Sequence, residues 1–572
     1  MNWPISRRHA LAAPFLMAGC AAASPYFGRT TPPRSQRLVH SNGEEPATLD
    51  PAHSVGASSE IIMAMLLDSL TALDPVTLEP AAGLATHYEV DSRGAQYTFF
   101  LRGHPKPRGT RLPNRDSLPI EISRGRKAPP DRIPALWSDG TSITAHDFVF
   151  SWRRFADPAT AAPMAFYLAP IRNANGNNPA ALGVRALDDF TFQFDLVAPA
   201  PSFVNLLWQP FLAAVHRPSL EAARRSGRPL SWTEPAHYVS SGPFLLREWK
   251  PHHQMVLSRN PRYWEAQSVE IEEIVFLPVS SGTTNVNLYK VGAMQSMDPR
   301  LIPPPLVAAL LEKKDFVTAS ALRTLWFLLN IITPPLDRPS VRYALNLATD
   351  KKAMARFLGA GQKAANGIVP PMAGYPSLTT LSVPINGRQL DVLAFDPRAA
   401  RELLHAEGIA ELTLSMTFPT LPNIKEIASI LQRQWREHLG VRVNLSAQGP
   451  AEWGQDMSEK RYRHITQDSW TARCADPSDY LALFGPPEHY STWTDTAFDR
   501  DFVEANAMLN PAGRLKALAA CEAQLIRAMP VIPIFHDTWT YLEAPYLRGL
   551  TPNPFAAPQF KYAWIDTNWR PQ

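Results

Sequence analysis

Cysteine is scarce in this chain, with three thiols among 572 residues. So few cysteines exclude a small scaffold held together by disulfides. Cys474 lies beside a candidate ligand-binding segment, and Cys521 falls in the amphipathic stretch 514–529. We therefore expect both thiols to be free or buried rather than joined to each other.

The common catalytic and metal-binding motifs are also missing. The chain has no Walker loop, no Gly-x-Gly-x-x-Gly helix start, no Gly-x-Ser-x-Gly elbow, no His-Glu-x-x-His and no Cys-x-x-Cys. His252, His253 and His464 lack carboxylates at metal-ligand spacing, which favours surface or core histidines. We predict a protein that is not an enzyme and has no metal or cofactor. Histidines that are distant in sequence can still come together in the folded protein, so a protein that binds nickel or haem stays open as an alternative. An extracytoplasmic hydrolase is the other alternative.

Charge of one sign and long apolar runs are both lacking. Lys and Arg number 56 against 52 Asp and Glu, a net charge of +4, which argues against a nucleic-acid surface spanning the molecule. Beyond the N-terminus no stretch reaches the roughly 18 uninterrupted apolar residues of a membrane-crossing helix. With 45% hydrophobic and 19% charged residues, the composition is that of a globular protein.

The N-terminus has the pattern of an export signal. Arg7 and Arg8 precede the apolar run 10–17, which Ala18-Gly19-Cys20 closes. We predict a signal over 1–19, with the twin-arginine route favoured over an ordinary positive N-region. The same residues resemble a lipoprotein box in which Cys20 is lipidated. Met17 departs from that pattern, so lipidation stays open, and 20–37 is expected to be a tether.

Proline is abundant, at 56 residues, which favours rigid turns and few long helices. Residues 103–132 hold six prolines, eight Lys or Arg and three acids. We expect an exposed, solvated insertion there, with a partner-docking loop as the less favoured alternative.

Apolar periodicity indicates short strands and helices up to about residue 330 and longer helices thereafter. The helices are predicted over 340–358, 397–406, 423–439 and 511–529, and the C-terminal strands over 412–417, 442–445 and 531–535. Asp396 and Pro397 form a cap followed by proline at the first helical position, and Thr144 with Asp147 forms a capping box that leaves His146 on a helix surface. The pattern predicts a mixed α/β fold.

Ten or more short sequence blocks occur in an order that is typical of one protein family. Together they resemble the oligopeptide-binding proteins of ABC importers, a large family of extracytoplasmic solute-binding proteins that also takes dipeptides, nickel chelates and murein peptides. The resemblance runs from about residue 38 to the C-terminus and is interrupted by 103–132. The blocks are NGEEP at 42–46, LDP at 49–51, WSDGT at 137–141, TAHDFVFSW at 144–152, LGVRALDDF at 182–190, GPF at 242–244, RNPRYW at 259–264, VRYAL at 341–345, FDP at 395–397, LGV at 439–441 and CADP at 474–477.

The resemblance implies a three-lobed periplasmic-binding-protein-like fold in which two lobes close over a cleft through a two-crossing hinge. Lobe I would combine 38–67, 219–322 and 541–572. Lobe II would span 68–218, including the 103–132 insertion, and lobe III 323–540.

The implied function is capture of peptides or related zwitterions for an inner-membrane ABC permease. The protein would be a monomer in the periplasm or cell envelope, and lipidation of Cys20, which stays open, would be its only attachment to the membrane. It would bind no nucleic acid.

In this family the ligand lies as an added strand between two lobes. On this chain the pairing segments would be Val55-Gly56-Ala57 and Arg473-Cys474-Ala475. The resemblance further implies that Asp476 pairs with the α-ammonium of the ligand, because a buried ammonium needs a counter-charge. A turn aspartate before Pro477 is the alternative for Asp476.

Other pocket positions depart from the family. Val55 stands in place of an acid, Met164 in place of an aromatic residue and Trp470 in place of an arginine. Arg461 and Arg473 are candidates to hold a ligand carboxylate, with a surface ion pair as the alternative. Trp470 is a candidate for stacking on the ligand, with a core tryptophan as the alternative. Arg323 occupies the position of the partner of a family disulfide, which implies that Cys474 is unpaired.

Overall fold

The computed structural model describes residues 24–571 except 55, 386, 422, 487 and 488. It contains three main sheets and the helices that cover them, so the prediction of a mixed α/β fold is confirmed. The predicted signal at 1–19 and Cys20 lie outside the described residues.

The first sheet draws its strands from distant parts of the chain. Its order is β12-β1-β11-β10-β9, with β1 parallel to β11 and β12, and with β10 antiparallel to both β9 and β11. The strands are β1 (Arg37–Ser41), β9 (Phe244–Lys250), β10 (Gln254–Arg259), β11 (Glu273–Leu277) and β12 (Ser296–Met297). The helices near it in sequence are α1 (Ala57–Leu66), α4 (Arg217–Arg225), α5 (Gly282–Lys290) and α6 (Pro304–Leu310).

The second sheet is antiparallel throughout, in the order β6-β4-β5-β8-β7. Its strands are β4 (Ala85–Val90), β5 (Gln96–Leu101), β6 (Thr110–Arg111), β7 (Val184–Asp188) and β8 (Thr191–Asp195). The accompanying helices are α2 (Ile120–Ser123) and α3 (Ala145–Ala156). The predicted capping box of Thr144 and Asp147 opens α3, and Trp152 of that helix packs edge-on against Phe192 of β8.

The third sheet has six strands in the order β14-β20-β13-β19-β17-β18. They are β13 (Phe316–Leu329), β14 (Lys363–Ala364), β17 (Thr413–Pro419), β18 (Arg442–Gln448), β19 (Ile465–Thr471) and β20 (Val531–Leu542). The helices in this part of the chain are α7 (Pro339–Leu347), α8 (Lys351–Leu358), α9 (Pro397–Ala406), α10 (Ile424–Leu439), α11 (Pro450–Ser458), α12 (Ser478–Leu481), α13 (Thr496–Ala507) and α14 (Pro511–Ala528). Three small two-stranded sheets complete the fold, β2 (Thr71–Leu73) with β3 (Pro80–Ala82), β15 (Ser382–Ile385) with β16 (Arg388–Asp391), and β21 (Leu547–Arg548) with β22 (Trp564–Ile565).

The predicted helices of the third sheet are confirmed, with one division. The stretch 340–358 forms two helices, because the Asp350 side chain accepts the Ala353 N–H and starts α8 as a new helix. The Asp396 carboxylate likewise caps α9 ahead of Pro397.

The described residues form two large hydrophobic cores. One is continuous through the first and second sheets, and the other belongs to the third. Sheets that share one core resist relative motion, whereas separate cores can move against each other. The division therefore favours movement of the third lobe against the first two.

Two long strands connect these cores. Strands β13 and β20 pair antiparallel from Phe316 opposite Leu542, beside the first core, to Leu328 opposite Val531, within the second. Their register shifts between Ser320 and Thr324. Strands β13 and β20 correspond to the two chain crossings of the predicted hinge.

Part of the predicted tether 20–37 is packed on the protein. The N–H groups of Phe27 and Gly28 both donate to the Asp315 carboxylate at 2.8 Å, and the Tyr26 ring meets Trp569 edge-on. A Cβ at Gly28 would lie 2.3 Å from the Tyr289 ring. Residues 26–28 of the segment are thus held against the first lobe.

The 103–132 insertion is exposed over much of its length, as expected, but it is anchored to the first lobe by buried and half-buried contacts. Arg115 and Glu265 form an ion pair of 2.7 Å in which both side chains are 2% exposed. Arg124 lies 3.1 Å from Glu270, and its guanidinium stacks over Trp564. The insertion therefore connects the second sheet to the first lobe.

Replacing Arg115 tests this connection. Arg115→Ala leaves the Glu265 carboxylate buried without its partner, so we expect the free energy of unfolding to fall by about 3–5 kcal/mol. Denaturant unfolding at neutral pH measures the change. Arg108→Ala is the matched control within the insertion, because Arg108 is 74% exposed and 3.9 Å from Glu89, and we expect it to cost less than about 1 kcal/mol. Equal effects of the two substitutions would contradict the buried connection.

Candidate functional site

A cavity of about 790 Å³ lies between the third lobe and the other two. Its wall comes from α1, the segments 67–73 and 208–210, the middle of β13 and β20, the end of β19, the start of α10 and the segments 298–304 and 555–561. Every one of the three lobes contributes, so a change in their arrangement changes the cavity. Volumes of this size, roughly 300–1,000 Å³, are those that enclose small ligands.

Much of the cavity wall is apolar. Trp208 and Phe555 pack against each other with ring centroids 5.3 Å apart, and the wall continues through Ile61, Leu73, Leu325, Ile424, Phe535 and Trp539. Such a surface excludes water and strengthens the electrostatic interactions beside it.

The charged side chains of the wall are largely paired with each other. Asp537 and Arg323 lie 2.6 Å apart, and Glu60 and Arg473 2.5 Å apart. Asp298 pairs with Arg300, and Asp68 accepts hydrogen bonds from the Tyr263 hydroxyl and the Trp264 indole. The cavity therefore has little net charge.

Three of the residues predicted to bind ligand, Arg473, Gly56 and Ala57, line this cavity. Val55 lies outside the described residues. Gly56 and Ala57 begin α1, and the Gly56 carbonyl accepts the N–H groups of Ser59 and Glu60. They present a helix start to the cavity, not the edge of a strand.

The second predicted strand-pairing segment, 473–475, is already engaged by the protein. The Arg473 N–H donates to Asp479 at 2.8 Å, and the Arg473 carbonyl accepts from the Gln209 side chain at 2.6 Å. Cys474 is buried in the first core, and Ala475 is exposed away from the cavity wall. The expected backbone pairing with a ligand has no free partner at residue 473.

Asp476 is not among the residues that line the cavity. Its two oxygens accept from the Arg514 guanidinium at 2.7 and 2.9 Å, and one also accepts the Ser478 N–H. Asp476 and Arg514 are both buried. Its role in holding a ligand ammonium stays a prediction, and in this structure the carboxylate is paired with a buried cation.

The remaining predicted residues also lie off the cavity wall. Trp470 is half-buried, packs against both cores and donates its indole N–H to Asp479 at 3.0 Å. Arg461 pairs with Asp456 and Glu459 on the surface, which is the alternative that the sequence left open. Met164 packs against the first core.

Glu60 is a wall residue that the sequence analysis did not select. It lies in the first turn of α1, whose ten residues Ala57–Leu66 include no other charged side chain. One carboxylate oxygen holds Arg473, whereas Oε1 is buried and has no partner among the described residues. The signal that could have identified Glu60 is a single acid in an otherwise uncharged helix, most of which is buried.

Arg473 lies between two carboxylates. Burial disfavours its charged form, but the negative charges of Glu60 and Asp479 outweigh this and raise the pKa of the guanidinium above its ordinary value. The Glu60–Arg473 pair joins α1 to the third lobe across the cleft.

Asp479 makes a further contact between lobes. It accepts from the Tyr167 hydroxyl of the second lobe at 3.4 Å and from Trp470 and the Arg473 N–H of the third. Burial raises the pKa of its carboxyl to about 6. This contact between the lobes is therefore sensitive to protonation of Asp479.

Cys474 and Cys521 are both free and buried, as expected. Arg323 lies on β13 opposite Thr471 of β19 and donates to Asp537 and Ser469. Across the described ranges no group of three or more His, Cys, Asp and Glu side chains is arranged to hold a metal ion. No helix in this part of the chain is long and apolar enough to cross a membrane.

Removing the Asp476 carboxylate tests its structural role. Asp476→Ala leaves Arg514 buried with an unpaired charge, so we expect the free energy of unfolding to fall by about 3–5 kcal/mol. Asp456→Ala, which removes a partner of the surface residue Arg461, is the control and should cost less than about 1 kcal/mol. Denaturant midpoints with unchanged slopes measure both. An Asp476→Ala protein that is as stable as wild type would contradict the structural role of this carboxylate.

Asp479 predicts a specific dependence of stability on pH. Because burial raises its pKa from 3.8 to about 6, its contribution is fully present below about pH 4 and is lost as the pH rises through 6. Asp479→Asn lacks this titration. The stability of wild type minus that of Asp479→Asn should fall by roughly 3 kcal/mol between pH 4 and pH 8. Urea unfolding of both proteins across this range gives the difference, and a constant value would refute the raised pKa.

Comparison with known proteins places this geometry in a family. Residues 134–492 match the family model described as "Bacterial extracellular solute-binding proteins, family 5 Middle". The periplasmic oligopeptide-binding protein OppA of Salmonella typhimurium is 29% identical over 532 residues, covering 90% of each chain. The probable deoxycholate-binding periplasmic protein YgiS of Escherichia coli is 26% identical over 559 residues, covering 93% of this chain and 95% of that one.

Solved structures agree with the sequence comparison. The murein tripeptide binding protein MppA of Escherichia coli superimposes with a TM-score of 0.77 at 26% identity, covering 94% of this chain and 99% of that one. OppA of Haemophilus influenzae in complex with the peptide RPPGFSPFR gives a TM-score of 0.75 at 25% identity, with 94% and 100% covered. The three-lobed fold and the cavity between its lobes are thus those of solute-binding proteins, and the chain belongs to family 5 of the bacterial extracellular solute-binding proteins.

Proposed function

We propose that this protein captures short peptides with free termini and delivers them to an ABC permease. The observation that carries the proposal is the cavity between three lobes, in which paired charges alternate with apolar surface. A peptide matches such a wall, because it brings charged termini, a polar backbone and side chains of mixed character. The relatives named for oligopeptides and murein tripeptide support the same ligand class.

Binding would act on the arrangement of the lobes. The first two lobes share one core and the third has its own, and β13 and β20 connect them. A ligand that contacts both sides favours the closed form by its additional contacts there. The permease would then recognise the closed form, and the ligand would be released chemically unchanged.

We further propose that the protein works outside the cytoplasm as a monomer. The proposal draws on the export pattern at 1–19, on the periplasmic relatives and on the family itself. Lipidation at Cys20 would attach it to the membrane. The packed residues 26–28 would then place the first lobe close to that anchor.

An amphipathic carboxylate is the second candidate ligand. The apolar stretch around Trp208, Phe555 and Trp539 favours it, and one relative is named for probable deoxycholate binding. The two candidates differ in backbone amides and in the ammonium group, so a direct comparison separates them.

The experiment compares ligands on the exported protein. We expect native mass spectrometry of gently purified protein to detect bound peptides of a few residues, and added tripeptide mixtures to raise the melting temperature by mass action. The recovered peptides should keep their masses after incubation. Deoxycholate is the competing ligand in parallel samples. Stabilisation by deoxycholate alone, or cleavage of the peptides, would contradict the proposal.

A further inference from the structure

We propose that the surface around the first described residues of the chain binds an anionic phospholipid membrane. This surface, the basic collar, consists of residues 24–29, 290–292 and 311–315 of the first lobe. It combines exposed cations with exposed apolar side chains. The inference goes beyond the proposed function, because it concerns how the protein is held at a membrane and not what its cleft binds.

The first observation is that distant segments meet in the basic collar. The Lys313 ammonium donates to the Ser24 carbonyl at 2.8 Å, across a separation of 289 residues in sequence. The Lys290 ammonium lies 5.6 Å from the centre of the Phe27 ring. The turn that follows Lys290 packs against Arg29 so closely that a Cβ at residue 292 would lie 2.8 Å from the Arg29 Cδ. The three segments therefore form one continuous surface.

The second observation is the charge of this surface. Its cations outnumber its acids by four to two, Arg29, Lys290, Lys313 and Lys314 against Glu312 and Asp315. Asp315 is buried, and its carboxylate accepts the N–H groups of residues 27 and 28 and the Tyr289 hydroxyl. Within the described part of the chain, Arg29, Lys290 and Lys313 form no ion pair. Positive charge therefore dominates the exposed part of the basic collar.

The third observation is a pair of exposed apolar side chains among these cations. Val291 is 62% exposed and Leu311 is 50% exposed, and they directly follow the last residues of α5 and α6. Single exposed apolar residues are ordinary on a protein surface. Beside several cations they acquire a use, because cations meet the phosphate groups of a lipid surface while apolar side chains enter the acyl boundary.

The position of the basic collar in the chain also favours a membrane. Cys20, the candidate for lipidation, comes four residues before Ser24, and four extended residues span at most roughly 14 Å. An acyl chain at Cys20 would therefore bring the basic collar close to the lipid headgroups. Attraction to a charged membrane acts over a Debye length, about 8 Å at physiological salt. The cations of the basic collar would then add to the attachment.

The other basic segment, 103–132, fits this role less well. Arg111 pairs with Asp131, and Arg124 and Arg126 both pair with Glu270. Most of its cations thus have a carboxylate of the protein itself as partner, and less of its charge is left for a lipid surface.

An acidic segment of another protein is the other candidate occupant of the basic collar. Exposed Val291 and Leu311 and the short distance in sequence to Cys20 favour lipid. Contact there would hold the first lobe, whose core is shared with the second and separate from that of the third. The third lobe would remain free to move over the cleft while the protein stays at the membrane.

The test measures binding to phosphatidylcholine vesicles with and without phosphatidylglycerol. The protein is exported as Cys20→Ser, which carries no acyl chain at residue 20, so that binding reports on the basic collar. We expect binding only to the vesicles that contain phosphatidylglycerol, and weaker binding at high salt. Arg29→Gln combined with Lys290→Gln should weaken it about 25-fold, since each Lys or Arg near an anionic surface contributes about fivefold. Sedimentation of the vesicles gives the affinities.

Lys352→Gln combined with Arg356→Gln is the matched control. Both residues are exposed on α8 of the third lobe, and the change removes one lysine and one arginine, as in the basic collar. It should alter the affinity by less than about twofold, because charges far from the lipid are screened. Unchanged melting temperatures show that both variants are folded.

Equal binding to both kinds of vesicle, binding to neither, or an equal loss in the control would overturn the role of the basic collar. Transport lost in the Arg29→Gln, Lys290→Gln protein, without binding of the parent to vesicles, would assign the surface to an acidic protein partner and overturn the proposal as well. None of these results bears on ligand capture, so the proposed function stands or falls separately.

Discussion

The strand pair β13–β20 is the constraint on which the rest of the structure depends. The two antiparallel strands run between the core shared by the first two lobes and the core of the third. Each core is buried within its own lobes and does not depend on contacts across the cleft for its burial. The chain can therefore leave a cavity of about 790 Å³ between them without exposing either core, and a solute has a place to bind.

Burial of charge explains how the site is arranged around that cavity. A charge removed from water needs a partner, and the wall meets this need mostly from within, through Asp537 with Arg323 and Glu60 with Arg473. The same rule explains Asp476, which satisfies Arg514 behind the wall. A carboxylate in a family-like motif is available to a ligand only where no cation of the protein already pairs with it.

Local patterns predicted the local structure well. The capping box of Thr144 and Asp147 and the Asp396–Pro397 helix start depend on residues one to three positions apart, and both were confirmed. The buried, unpaired thiols also followed from few and separated cysteines. Contacts between distant segments could not be predicted this way. Asp476 meets Arg514 from 38 residues away, and nothing within the CADP motif indicates that contact. The anchoring of the insertion could not be predicted for the same reason, since Glu265 lies 150 residues from Arg115.

The Glu60–Arg473 contact shows why position in the fold matters more than residue type here. Arg473 read alone suggests a site for a ligand carboxylate, because a guanidinium binds carboxylates with two hydrogen bonds. In the fold, one nitrogen of that guanidinium already binds Glu60 and Asp479 lies close by. The guanidinium is therefore already engaged by carboxylates of the protein itself. The role of Arg473 is thus best interpreted from the charges that face it, Glu60 on the distant helix α1 and Asp479 on the nearby helix α12.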